Sequence, residues 1–231
     1  GQTGEFVYDV TPAVFETAEE LDAKFVYNDF CGSNLSKYLV KESRKEGRVL
    51  VFLKPCDTYS FNQLIKEHRI ARENIYVIGV PCAGKTDGET MKALGLKGIL
   101  GVKDAGDSFT VETLYGEKTV SKQEALPERC RSCKSHKHMV YDELLGEEGE
   151  VLDSHRFDMV EKIESMSADE RFAFWQGELS RCIRCNACRN VCPACTCEKG
   201  VFDNENSGMA QKAAADSFEE SMFHIIRAFH V

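Results

Sequence analysis

The sequence predicts an α/β protein in two parts. An N-terminal α/β domain with a mostly parallel sheet spans residues 1–151, and a smaller helical module spans residues 152–231. Three observations carry this reading. Arg48-Val-Leu-Val-Phe-Leu-Lys54 and Ile75-Tyr-Val-Ile-Gly-Val80 are apolar runs of buried-strand length, each ended by a proline, with a helical pattern between them. The pattern becomes helical throughout after Gly149. Six of the 11 cysteines fall between Cys182 and Cys197, a crowding that favours metal chelation over disulfide pairing.

A chain of 231 residues, 42% hydrophobic and 29% charged, buries a sizeable core and is not broadly disordered. No apolar run approaches the roughly 18 residues a membrane span requires. The excess of 38 acidic over 29 basic residues, a net charge of −9, opposes binding to nucleic acid through phosphates. An odd cysteine count in a chain of this size, with no secretory leader, points away from a disulfide scaffold and towards a cytoplasmic protein. The chain opens at Gly1 without a methionine and closes at Val231 inside an apolar periodic run, so the native protein is expected to extend further.

Element by element, Glu5 to Val10 is a short strand candidate, and Thr17-Ala-Glu-Glu20 has the form of a capping box opening a helix. After Phe30-Cys-Gly-Ser-Asn34 comes a helix with Leu35, Tyr38 and Leu39 on one face. Pro55 ends the strand at 48–54, and Asp57 is placed to cap a helix whose inner stripe is Phe61, Leu64 and Ile65. The strand at 75–80 completes a parallel βαβ unit. Phe109 to Tyr115 and Lys118 to Val120, around Gly116, form a polar hairpin. Past the boundary, Asp153 to Ser180 reads as helix. Met159, Ile163 and Met166 lie on one face, a second capping box sits at Ser167-Ala-Asp-Glu170, and Phe172, Trp175 and Leu179 mark the apolar side beyond it. Phe218, Met222, Ile225 and Phe229 again keep helical spacing.

Cys182-Ile-Arg-Cys185-Asn-Ala-Cys188-Arg-Asn-Val-Cys192-Pro193 is C-x₂-C-x₂-C-x₃-C-P, the ferredoxin-type run. Three closely spaced thiolates wrap three corners of a 4Fe–4S cubane, while the fourth cysteine serves a different cluster. A zinc ribbon needs two separated C-x₂-C knuckles, which this block lacks. Cys182, Cys185 and Cys188 are therefore read as holding one cluster and Cys192 as belonging to another, supplied by a second cysteine run beyond Val231. Cys195 and Cys197 either complete a cluster locally or are plain thiols. The helical stretch up to Val231 resembles the linker of α-helical ferredoxin modules.

Pro55-Cys56 and Pro81-Cys82 each follow the C-terminal end of a strand, the edge of an open α/β sheet where ligands gather. Cys130-Arg-Ser-Cys133 adds a C-x₂-C pair on a basic loop with Arg129, Arg131, Lys134 and Lys137. Either these four thiols meet in a second metal centre, or Cys56 and Cys82 are core thiols and the pair is half a zinc knuckle. Cys31 reads as a packed apolar residue. His136 and His138 are either ligands or solvated loop residues.

Lys54-Pro-Cys-Asp57, the Ile78-Gly-Val-Pro-Cys82 strand end and Arg129-Cys-Arg-Ser-Cys133 resemble the β-subunit family of deazaflavin-dependent (coenzyme F-420) hydrogenases and dehydrogenases, over roughly residues 25–145. The resemblance implies a 4Fe–4S cluster on Cys56, Cys82, Cys130 and Cys133 beside a flavin site. With the Phe174-to-Cys182 lead into the cysteine run, the whole is similar to iron–sulfur subunits of anaerobic hydrogenase, formate dehydrogenase or heterodisulfide reductase-type complexes. The family generally has a glycine-rich helix start at the flavin; here the candidate is Gly32-Ser33-Asn34, with one glycine. These residues either receive a flavin (FAD) phosphate at a helix start or are simply caps. No G-x-G-x-x-G follows a strand, and Gly84-Lys85-Thr86 lacks the upstream glycine of a P-loop.

The function expected is therefore an iron–sulfur electron-transfer subunit with two or more 4Fe–4S clusters, working with other redox subunits of a hetero-oligomeric complex. Two alternatives stand beside it: a flavin-containing subunit that itself reduces a small acceptor such as a deazaflavin, and a zinc-stabilised assembly module. No hydrolytic motif is present.

Overall fold

The computed structural model describes residues 1–183, 185–196 and 225. Cys197 and the apolar positions Phe218, Met222 and Phe229 lie outside the described residues; Ile225 is helical. The chain divides into two compact units, Gly1–His155 and Arg156 onward.

In the first unit, β1 (Gln2–Thr3) and β2 (Thr11–Pro12) form a two-stranded antiparallel ribbon. The strand expected at Glu5–Val10 is the turn between them, where Asp9 accepts from the Phe6 amide at 2.8 Å and bends the chain back. Helix α1 (Ala18–Lys24) opens as expected: Thr17 caps it by accepting from the Glu20 amide. A 3₁₀ turn over Ser36–Tyr38 leads into α2 (Leu39–Glu42), with Leu35 and Leu39 buried. Tyr38, expected on the same inner face, points outward at 43% exposure, because the tighter 3₁₀ turn rotates it off the stripe.

The centre of the unit is β3 (Val49–Leu53), α3 (Pro55–Lys66) and β4 (Ile75–Gly79). Proline at the first position of α3 costs nothing there, since its missing N–H has no helical partner in any case. The helix therefore starts three residues earlier than a cap at Asp57 implied, and Asp57 lies within its first turn. Phe61 and Leu64 of α3 cover Val51, Leu53, Ile75 and Val77 of the sheet, and Leu35, Leu39 and Ile70 complete this core.

Helix α4 (Gly88–Ala93) then leads into an antiparallel meander of β5 (Ile99–Asp104), β6 (Ser108–Thr113) and β7 (Gly116–Ser121). The β6–β7 hairpin was expected; β5 was not, because Gly101 and an irregularity between Ile99 and Gly101 interrupt its apolar run. Phe109 and Val111 of β6 alternate inward onto Phe30, Met91, Leu96, Ile99 and Ala125. Two one-turn helices, α5 (Lys122–Ala125) and α6 (Glu128–Arg131), and a short strand β8 (Glu143–Leu144) complete the unit.

The sheet order corrects the mostly parallel expectation. One three-stranded sheet, β3-β4-β8, is parallel; the β5-β6-β7 sheet and the β1-β2 ribbon are antiparallel. A parallel pair needs a crossover such as α3, whereas the short loops after β5 and β6 permit only antiparallel return.

The second unit holds α7 (Asp158–Glu164), α8 (Ala168–Leu179) and α9 (Ala187–Val191). Residues 153–157, read as helix from the sequence, are not helical. The Ser167–Glu170 capping box forms as expected, and the Arg171 guanidinium donates to the carbonyls of Ile163, Glu164 and Met166, fixing the α7–α8 corner. No helix among the described residues is long and apolar enough to cross a membrane.

Phe61→Ala, which empties a fully buried aromatic site, should cost about 3–5 kcal/mol in urea unfolding. Tyr115→Ala, at a hairpin tip with 80% exposure, should stay within about 0.5 kcal/mol.

Candidate metal centre

The parallel register builds this site. Leu53 of β3 stands opposite Gly79 of β4, so Cys56 and Cys82 each lie three residues past the same rung of the ladder. Cys130 on α6 and Cys133 just beyond it come from the segment that leads to β8. All four thiols line one cavity of about 160 Å³ at the C-terminal edge of the parallel sheet. Cys56 and Cys82 are thus not core thiols: Cys56 is exposed and Cys82 half-buried, both opening into this space. Cys31 is fully buried and lies outside it.

The cavity wall is held by buried polar contacts. Lys54 Nζ donates to Asp57 Oδ2 at 2.8 Å and to the Ser33 carbonyl at 2.8 Å, tying the Gly32–Asn34 loop to the start of α3. Burial pushes the Asp57 carboxyl up and works against the Lys54 ammonium. The short contact, with the Lys54 amide also donating to Asp57, opposes that burial and holds Lys54 above the ordinary lysine value, while Asp57 stays raised. Burial, then the neighbouring Asp57, raises the Cys56 thiol far above its ordinary value; burial raises Cys82 as well. Taking metal would release these protons. Gly84, at φ +115°, donates its amide to the Cys82 sulfur, and a Cβ there would meet Leu126 at 2.8 Å.

The two histidines separate. His136 lines the cavity, with its pKa lowered by burial. His138, expected as a solvated loop residue or a ligand, is buried with both ring nitrogens engaged, by Glu148 at 2.9 Å and the Val80 carbonyl at 3.2 Å. It clamps the Glu148 loop to the end of β4. Beside it, Asp142 receives the Val77 amide at 2.7 Å and the Arg72 guanidinium at 2.6 Å.

Gly32 lines the thiol cavity, but Asn34 is occupied internally. Its Oδ1 accepts from the Ser36 amide and hydroxyl, and its Nδ2 donates to Ser60. The helical segment beyond is short, a 3₁₀ turn followed by four α-helical residues. A larger cavity, about 620 Å³, lies between the N-terminal ribbon and β3, but no thiol faces it.

In the second unit Cys182 and Cys185 precede α9, Cys188 lies on it, Cys192 ends it, and Cys195 follows. Asn186, in the left-handed conformation, turns the chain into α9 between the second and third cysteines. Among the described residues no three His, Cys, Asp or Glu side chains close on a single-ion site.

The chain is similar to formate dehydrogenase β subunits. It is 24% identical over 252 residues to the F420-dependent formate dehydrogenase subunit beta of Methanocaldococcus jannaschii, an alignment covering 84% of this chain and 66% of that protein. It is 21% identical over 258 residues to the F420-dependent formate dehydrogenase 1 subunit beta of Methanococcus maripaludis, covering 85% of this chain and 66% of that one. The chain thus spans 66% of the length of these curated relatives. No family model matches it. The two relatives support the deazaflavin-linked dehydrogenase β-subunit resemblance and are consistent with an electron-transfer subunit of an oxidoreductase.

Lys54 was visible in the sequence only as a flank of Cys56, Asp57 as a flank and a helix cap, and Lys85 only as part of an incomplete P-loop. The burial of all three, and the place of Lys54 and Lys85 on the cavity wall, emerge from the fold.

The carboxylates behind the site set a pH dependence. Burial pushes Asp142 and Glu148 up, but Arg72 and the Val77 amide outweigh it for Asp142, and the His138 amide and ring outweigh it for Glu148. Both folded-state values lie below the ordinary 3.8 and 4.5. Their stabilisation is therefore present above those values and is lost as pH falls through the depressed ones. Urea midpoints should fall between pH 5 and pH 3, and Asp142→Asn should flatten that slope while lowering the midpoint at pH 7.

Proposed function

We propose that this chain is an iron–sulfur electron-transfer subunit of an anaerobic oxidoreductase complex, with Cys56, Cys82, Cys130 and Cys133 holding one 4Fe–4S cluster. The observation that carries this is the convergence of four thiols, from three separate loops, on one cavity. The donor set fits the group: four cysteine sulfurs line one cavity, and Gly84 supplies an N–H donor to the Cys82 sulfur. Such a cluster supplies one-electron storage and release. The protein's part is to fix the thiolates at the sheet edge, to line the site with buried charge, and to limit access by water.

Cys182, Cys185 and Cys188 are proposed to hold a further cluster, with Cys192 serving another. Cys195 and Cys197 either complete a cluster locally or are plain thiols. In this reading 1–151 is the cluster-binding α/β domain and 152–231 the ferredoxin-like module. Both relatives are named as subunits, so we propose that other redox subunits donate and accept the electrons. A cytoplasmic location is proposed with it, since reduced thiols persist there.

A second reading has this chain bind FAD and pass electrons to a deazaflavin itself; the F420-dependence in the names of both relatives favours it. Gly32 and Ser33, at the cavity edge, are its candidate contacts, whereas Asn34 acts as a cap. A third reading, a zinc-stabilised assembly module, predicts zinc in place of iron at these thiols.

Anaerobic reconstitution of the full chain tests the proposal. Cys56→Ser and Cys82→Ser should each lower the content by about four iron and four sulfide per chain, the content of one cubane. Cys31→Ser should leave it unchanged. Zinc in place of iron, or undiminished iron after loss of both Cys56 and Cys82, would falsify the cluster assignment. A resolved yellow flavin band over the broad brown absorbance would support the second reading.

A further inference from the structure

Three cations line the thiol cavity, and their charges are compensated to very different degrees. Lys54 is matched by Asp57 at 2.8 Å, with both side chains buried. Arg129 is paired to Asp87 at 3.0 Å and its side chain is 58% exposed, so water screens it. Lys85 is different. Its side chain is 9% exposed, and the nearest carboxylate that faces it, Asp29, stands 4.0 Å away. Its ammonium is instead held by uncharged groups: the Asn28 carbonyl at 3.0 Å and the face of Tyr27, with the ring centroid 4.3 Å distant. Tyr27 in turn donates its hydroxyl to the Pro81 carbonyl at 3.1 Å, so the clamp on Lys85 is built into the loop that carries Cys82.

Burying an ammonium against a carbonyl and a ring is costly unless another negative charge lies near. The four thiols on the same wall are the groups that would supply it.

We propose that Lys85 sets the reduction potential of the four-thiol centre, by holding an under-compensated buried charge against the wall it shares with Cys82. This rests on the cluster assignment above. Four thiolates on a 4Fe–4S core leave a net negative centre, and one-electron reduction adds one further negative charge without making or breaking a bond. The electron comes from a one-electron donor, a neighbouring cluster in the relay or dithionite in the test. A fixed buried cation stabilises the more negative state, and at an effective dielectric constant near 20 such a charge is weakly screened. Lys85 therefore raises the potential, and Asp29 tempers the effect. Because Lys85 acts through the cluster's surroundings, it is a positioning residue and not a ligand.

The test is a dithionite titration of the anaerobically reconstituted full chain, followed by electron paramagnetic resonance. Cys56→Ser identifies the signal that belongs to this centre. Lys85→Met should lower its midpoint, with the reduced-to-oxidised ratio at the parent midpoint falling roughly tenfold, or about 59 mV for a one-electron couple. Lys85→Arg should restore most of the shift. Asp29→Asn should move the midpoint the other way. Its side chain is 23% exposed, and the Asp29 carbonyl that accepts from the Thr86 amide is untouched.

A parent chain with no Cys56-dependent signal overturns the cluster assignment itself. A parent signal that neither Lys85→Met nor Asp29→Asn moves overturns the role of Lys85 and leaves the cluster standing. If Lys85→Met holds no cluster, Asp29→Asn decides: a rise supports the proposal, and an unchanged midpoint refutes it.

Discussion

The parallel pairing of β3 with β4 is the constraint on which the rest depends. Five rungs, from Val49 opposite Ile75 to Leu53 opposite Gly79, lock two strands whose C-terminal ends then diverge into equivalent loops. A slip of one residue would turn one strand's pair, Val51 and Leu53 or Ile75 and Val77, out of the core and carry Cys56 and Cys82 out of step. The hydrophobic free energy of that core therefore also specifies where the strand-end thiols stand. Phe61 and Leu64, which cover the sheet, contribute to the geometry of thiols they do not touch.

The loops at that edge are tied by hydrogen bonds that leave few buried groups unpaired. Thr58 donates to the Pro55 carbonyl and accepts from the Met139 amide, joining the first turn of α3 to the segment that carries the histidines. Lys54 joins the same turn to Ser33, and Tyr27 joins the N-terminal segment to Pro81. His138 fits against Gly79, where a Cβ would meet its ring at 3.2 Å, so a small residue at the end of β4 admits the imidazole that clamps the Glu148 loop. Three loops far apart in sequence are held around one cavity by these contacts.

The electrostatics of the edge follow from the same packing. An acidic chain of net charge −9 places Lys54, Lys85 and Arg129 around its thiols. The sequence drew attention to the basic residues next to the C-x₂-C pair, Arg129, Arg131, Lys134 and Lys137. Of these, Lys134 lies over the Tyr59 ring and Arg129 over Gly32, while the buried cations come from the two strand-end loops. Sequence neighbourhood and spatial neighbourhood differ here because a sheet edge gathers residues by register and not by chain distance.

Local sequence by itself determined the elements whose signals are short-range: the caps at Thr17 and Ser167, the two buried strands, the helix between them (though not its start at Pro55) and the β6–β7 hairpin. It also showed that Cys56 and Cys82 end strands and that Cys182 to Cys192 have cluster spacing, because both are patterns along the chain. Tertiary structure alone decided the rest. It bent Glu5–Val10 into a turn, turned Tyr38 outward, added β5 beside the hairpin, made only one of three sheets parallel, and engaged both nitrogens of His138. It also brought Lys85 under the ring of Tyr27, a contact between residues 58 apart that no periodicity encodes. The physical reason is range: propensity and capping act within a few residues, whereas burial, charge compensation and the meeting of four thiols depend on which strands pair.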